Sequence, residues 1–192
     1  MQTPREEPRK FMIVFELQRE QLRPPGAVEE AVFHRLCVHC GKCLAACQHG
    51  SIEFEGGFGA GRLLPRIRPE RAPCRLCMKC TAACPTGALD PAIDEMHKVH
   101  MGRAYILEQC CYNFTGGLMC STCYDHCPLR GYGMVLKDGL NPHVTEGCAG
   151  CGVCLTVCPA KAIEVRPGMN PTPPSAVLPL LPAPPRGEGG SS

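Results

Sequence analysis

Tryptophan is absent from this 192-residue chain, and aromatic residues make up only 5% of it. Large side chains are therefore too few for a core of ordinary size, which excludes a large-cored enzyme. An excess of charge of one sign is missing too: 20 Lys and Arg face 18 Asp and Glu, a formal net charge of +2. No global field then points to nucleic acid or to an anionic membrane. No apolar run approaches the roughly 18 residues of a membrane span. The 20 prolines and 21 glycines leave no room for a coiled coil. What the chain has instead is 17 cysteines. Crosslinks must replace core burial, and an odd number of thiols cannot all pair as disulfides.

The cysteines fall into four groups. Three share the form C-x2-C-x2-C-x3-C: Cys37, Cys40, Cys43 and Cys47; Cys74, Cys77, Cys80 and Cys84; Cys148, Cys151, Cys154 and Cys158. The remaining group, third in chain order, keeps the later gaps in Cys120, Cys123 and Cys127, with its first member upstream at Cys110 or Cys111. A cubane cluster offers four iron corners, each needing a thiolate. A tight loop with a cysteine at every third residue sets three sulfurs around one face of the cube. The cysteine after the x3 gap is expected at the start of a short helix, pointing away, and in two-cluster ferredoxins it ligates the other cluster. Small residues between the ligands, such as Gly41, Ala45, Ala82 and Gly152, let backbone amides approach the sulfur atoms. Zinc normally takes two C-x2-C pairs split by a longer loop. The cysteine density resembles that of secreted disulfide scaffolds, but C-x2-C-x2-C runs would need distant partners for every thiol. The pattern predicts [4Fe-4S] clusters, four in number.

Each complete motif precedes a turn and a short alternating segment: 49–55 after the first, 85–90 after the second and 159–165 after the fourth. The repeat predicts an α+β fold of loop, short helix and short strand. Residues 1–30 read as an extension, with one apolar patch at Phe11–Phe15, too short for a signal-peptide core. Segment 56–61 lacks the Lys and Ser or Thr of a phosphate loop and reads as a spacer. The stretch from Pro167 to Ser192 carries eight prolines and reads as a disordered tail. The four-motif region is then 31–166, and its apo form is expected to be largely unfolded. Motifs can pair sequentially, first with second and third with fourth, or in a nested order. The nested order is the expectation, since it sets the stretched third motif against the second.

The run Leu22-Arg-Pro-Pro-Gly-Ala, the segment Cys111-Tyr-Asn-Phe-Thr-Gly and the segment Cys123-Tyr-Asp-His-Cys-Pro-Leu-Arg-Gly resemble the NapG/MauM-type ferredoxins. The resemblance extends from about Leu22 to Val165. It implies two bacterial-ferredoxin-like units and, through the family's C-x-N-F pattern, makes Cys111 the ligand and Cys110 the spare. Cys110 is then expected to be a small buried residue. The resemblance also implies electron transfer from a membrane quinol-oxidising iron–sulfur protein to a periplasmic terminal oxidoreductase or a cytochrome. Family members usually begin with a twin-arginine export signal, which this sequence does not show; the expectation is periplasmic by resemblance, cytoplasmic if the given start is the true one. Gln48 stands where a proline is expected, and the second motif keeps strict x2 gaps.

His39 and His126 neighbour ligands and read as residues beside the clusters rather than ligands. Arg62, Arg66, Arg68, Arg71, Arg75 and Lys79 could steer an acidic partner, though a solvated loop is the simpler reading. No serine–histidine–acid order, dinucleotide fingerprint or open cysteine triplet appears. The expected function is an electron carrier without a catalytic site. The alternatives are the iron–sulfur subunit of a molybdenum-type oxidoreductase and, remotely, a zinc or disulfide module.

Overall fold

The computed structural model describes residues 21–55 and 64–168. The Phe11–Phe15 patch, segment 56–61, Arg62 and the tail beyond Gly168 lie outside the described residues. All elements are short. In chain order they are α1 (Glu30–Leu36), α2 (Lys42–Ala46), β1 (Ile52–Glu55), β2 (Leu64–Ile67), α3 (Lys79–Ala83), a 3-10 turn (Met96–Lys98), β3 (Gly102–Ile106), α4 (Tyr112–Thr115), α5 (Thr122–Asp125), β4 (Met134–Lys137), β5 (Asn141–Val144), α6 (Val153–Val157) and β6 (Ile163–Pro167). The result is a small α+β fold.

The same plan occurs twice. In the first half Ala27 bridges Leu89, enclosing the first motif, the antiparallel hairpin β1–β2 and the second motif. In the second half β3 pairs antiparallel with β6, enclosing the third motif, the hairpin β4–β5 and the fourth motif. The segment after the second motif forms only that single bridge, whereas the one after the fourth becomes the strand β6.

Four helices begin one residue before the third cysteine of a motif: α2 with Cys43, α3 with Cys80, α5 with Cys123 and α6 with Cys154. Cys47, Cys84 and Cys158 then take extended backbone angles at the C-caps of α2, α3 and α6, which ends those helices and turns the fourth sulfur aside.

The core is built around the thiols. Phe33, Leu89, Val99 and Val153 are almost wholly buried, and Cys43, Cys74, Cys80 and Cys151 sit in the same cluster. A second cluster gathers Ala104, Met134 and Ile163 around Cys123 and Cys154. The packed region starts before the boundary read from the sequence at residue 31. Leu22, Pro24, Pro25 and Ala27 are buried, and Ile67 N–H donates to Leu22 O at 2.7 Å. These residues supply the bridge to Leu89, which the charged composition around them hid.

Candidate metal-cluster sites

The x2 gaps impose a left-handed backbone on both sides of the middle cysteine. His39, Leu76 and Gly150 precede it with φ of 55°, 52° and 68°. Gly41, Met78 and Gly152 follow it with φ of 72°, 56° and 81°. Alternating left- and right-handed residues turn successive amides inward and form a concavity that favours anions, as at many iron–sulfur sites. The chemistry of this lining suits an anionic group held by thiolates.

Four groups of thiols emerge, and each takes its fourth member from the neighbouring motif. Cys37, Cys40, Cys43 and Cys84 line one cavity. Cys74, Cys77 and Cys80 line a second with Cys47. Cys148, Cys151 and Cys154 line another with Cys127. In the last group Cys123 feels the charges of Cys111, Cys120 and Cys158. The pairing is therefore sequential, which corrects the nested expectation. Helices α2 and α3 pack together, as do α5 and α6, and each packed pair exchanges its fourth cysteines. Both arrangements use the same ligand set, so spacing could not separate them.

Burial pushes the Cys74 and Cys80 thiols up to about 12 and those of Cys43, Cys123 and Cys151 up to about 11, with neighbouring thiols adding to the effect. Cys154 and Cys127 are also raised by burial. Burial acts on Cys47 and Cys84 too, but backbone N–H donors outweigh it and lower both. Ser51 N–H reaches Cys47 Sγ at 3.4 Å, Leu89 N–H reaches Cys84 Sγ at 3.4 Å and Ala162 N–H reaches Cys158 Sγ at 3.3 Å. The fourth sulfur of each complete motif thus has a built-in N–H donor, which at Cys47 and Cys84 stabilises the charged form. The thiols that burial raises need a metal's charge to ionise. Four thiols lining one cavity suit a polynuclear iron–sulfur cluster.

The third motif is held by a residue the spacing did not reveal. Asn113 Oδ1 accepts Cys120 N–H at 2.7 Å, while its Nδ2 donates to Cys120 O at 2.7 Å and to Leu140 O. This side chain closes the eight-residue gap and ties it to the β4–β5 hairpin. The only signal in the sequence is its place in Cys111-Tyr-Asn-Phe. Asn113→Ala should cost roughly 1–3 kcal/mol and deplete iron at this site alone. Iron analysis with EPR would check it, and Asn113→Asp should not restore the site, because a carboxylate oxygen would face the Cys120 and Leu140 carbonyls in place of the donating Nδ2. Cys111 is half-buried beside its group, whereas Cys110 is exposed. The expectation of a buried Cys110 is thereby corrected: its N–H donates to Leu107 O at 2.9 Å, in a turn that leaves its side chain outside.

A family model described as a 4Fe-4S dicluster domain matches residues 36–88, the first pair of motifs. The methylamine utilization ferredoxin-type protein MauM of Paracoccus denitrificans is 37% identical over 157 residues, covering 76% of this chain and 70% of that protein. The ferredoxin-type protein NapG of Escherichia coli is 34% identical over 166 residues, covering 77% of this chain and 71% of that protein. The chain belongs to the NapG/MauM ferredoxin-type family. It is an iron–sulfur electron-transfer protein that binds [4Fe-4S] clusters.

Within this family frame the remaining sequence candidates separate. His39 lines the first cavity, and its buried Nε2 has no hydrogen-bond partner among the described residues. An imidazole N–H there suits a cluster sulfur acceptor. His126 instead contacts Thr122 O through Nδ1 at 2.9 Å. The arginines before the second motif are not a free patch: Arg66, Arg68 and Arg71 all converge on Glu53 of β1. Gln48, in place of proline, accepts from Lys79 Nζ at 2.6 Å and so links α2 to α3.

Proposed function

We propose that the sixteen cysteines other than Cys110 hold four [4Fe-4S] clusters in two ferredoxin-like units, and that the protein relays electrons between protein partners without a catalytic site of its own. The observation that carries this reading is the continuous order of the cavities. Cys80 of the second lies within electrostatic reach of Cys43 of the first. The second touches that of the fourth motif through Cys74 and Cys151, whose backbones are joined by Cys74 N–H donating to Cys151 O at 2.9 Å. That cavity touches the thiols of the third motif through Cys154 and Cys123. The order along the molecule is first, second, fourth, third.

Bound in these cavities, a [4Fe-4S] cluster accepts and releases an electron without breaking a covalent bond. The chain's own part is to fix spacing, exclude water and supply N–H donors to sulfur. Cys40 and Cys77 are exposed, while Cys151 is buried, so the site of the fourth motif is the most enclosed. No helix among the described residues is long and apolar enough to cross a membrane. Donors and acceptors of the quinol-linked and oxidoreductase kind, and a periplasmic setting, belong to this proposal by family resemblance; the relatives' names speak only of ferredoxin-type proteins and of methylamine utilization.

Anaerobically purified protein is expected to hold about sixteen iron and sixteen sulfide per chain, with interacting EPR signals after reduction. Cys84→Ala should remove about four iron. Adding Cys40→Ala should remove no more, because both serve one site, while adding Cys77→Ala should remove about four again. The reverse pattern would overturn the ligand sets, and zinc in place of iron would overturn the function.

A further inference from the structure

The two ends of this cavity chain present different surfaces. Of the exposed large apolar side chains, Leu36, Val38 and Leu44 border the first motif, and Leu118 and Met119 border the third. Val38 is 60% exposed and Met119 84%. Among the described residues none lies within the second or fourth motif, whose cavities are interior to the order. Met96, Tyr105 and Tyr132 are exposed outside the motifs, but of the four motifs only the terminal first and third carry exposed large apolar side chains, where an electron must cross to another protein.

Charge divides the ends further. Residues 31–52 and 72–89, which build the first two cavities, contain no Asp or Glu. They carry Arg35, Lys42, Arg75 and Lys79, all exposed. Arg35, Lys42 and Arg75 make no ion pair among the described residues, and Lys79 bonds only the neutral Gln48 there. Residues 104–130, around the third motif, contain Glu108 and Asp125 and a single cation, Arg130, which stacks over the Tyr124 ring. A chain of nearly balanced charge is thus clearly basic at one terminus of the relay and close to neutral at the other. Arg66, Arg68 and Arg71 share the single carboxylate of Glu53, so their surplus positive charge adds to that of the cations within the cluster loops.

We infer that the surface around Cys40, formed by Leu36, Val38 and Leu44 and ringed by Arg35 and Lys42, docks an acidic electron-transfer protein. This rests on the cluster reading above, since the surface matters only if a cluster lies beneath it. The apolar centre excludes water from the contact, and the basic ring steers and orients an acidic partner. The third motif offers no such basic ring to the same partner, so one relay end is selected over the other.

Fully loaded protein would be titrated into 15N-labelled oxidised flavodoxin, a small acidic redox protein, with NMR line broadening as the readout. At roughly 10 mM ionic strength binding is expected, and at roughly 150 mM it should weaken about tenfold as the screening length contracts. Arg35→Glu with Lys42→Glu should weaken low-salt binding at least about tenfold, whereas Arg35→Lys should retain it. Val38→Ser should weaken binding several-fold with the salt dependence intact. Lys137→Glu, in β4 of the second half, should bind as the parent does. Iron and sulfide are measured for every variant. Unchanged binding by the iron-replete double variant would overturn the docking surface and leave the cluster reading standing. Iron-poor parent protein would overturn both. Capture by phosphatidylglycerol vesicles without flavodoxin binding would overturn the inference in favour of a lipid surface.

Discussion

Removing iron under anaerobic conditions is expected to abolish far-UV ellipticity and amide protection across residues 21–168. The helices span four to seven residues, well below the roughly 12–15 at which isolated helices become marginal in water. Each sheet has two strands, and a lone two-stranded hairpin is at best marginal as well. Local structure therefore contributes little by itself. The buried set that could hold it together is partly made of Cys43, Cys74, Cys80, Cys123, Cys151 and Cys154. Without metal these thiols leave small cavities in place of crosslinks. Structural zinc sites supply apparent binding energies of about 10–16 kcal/mol, against a typical net stability of about 5–15 kcal/mol for a domain. Loss of several cluster sites exceeds any margin the aliphatic core can provide. Circular dichroism and hydrogen exchange on the iron-free chain test this. Persistent protection at Phe33, Leu89 and Val99 would show a core independent of the clusters.

Gly152→Ala should part the two halves of the molecule, while Gly41→Ala should not. Both glycines follow the middle cysteine of a motif in the left-handed conformation. Alanine there costs roughly 1–2 kcal/mol, and Met78 occupies the matching position of the second motif at φ 56°, so the motif itself accepts a side chain. The neighbours decide the difference. A Cβ on Gly41 meets nothing within 4 Å, whereas one on Gly152 would fall on Pro69 Cβ. Pro69 belongs to the first half, and the overlap lies beside the Cys74–Cys151 hydrogen bond. Gly150 is equally confined, because its Cβ would lie 2.5 Å from Gly102 C. Gly152→Ala is expected to lower the denaturant midpoint far more than Gly41→Ala and to weaken the magnetic interaction between the second and fourth sites in EPR. Iron content near that of the parent would locate the damage at the junction. Equal effects of the two substitutions would show that the close approach to Pro69 is not limiting.

Much of the local structure was legible because cluster ligation leaves few options. The spacing set the fourth cysteine aside but read it as the start of a short helix, whereas each helix begins just before the third cysteine and ends at the fourth, its C-cap. It also marked small residues near the ligands. It did not reveal that His39, Leu76 and Met78 take positive φ, because there the demand of the loop overrides side-chain preference. Motif pairing was illegible for a different reason: sequential and nested orders use identical ligands, and only the packing of α2 on α3 and α5 on α6 distinguishes them. Asn113 was visible as part of a motif but not as a clamp, since its partners Cys120 and Leu140 are defined by the fold. The buried run from Leu22 to Ala27 was obscured by its prolines, which here lie inside the core.

The exchange of fourth cysteines also sets the order in which the protein can be assembled. The first cavity cannot be completed until Cys84 has been synthesised, nor the second without Cys47. Neither depends on any residue beyond the first half. An emerging chain can therefore finish its leading pair of sites while Cys111 onward is still being made, and the trailing pair must wait for Cys158. Once both pairs are filled, a cut between β1 and β2 would not release either segment. Two crossed bridges would still bind the strands of the chain together, as two clasped hands hold when a sleeve is torn.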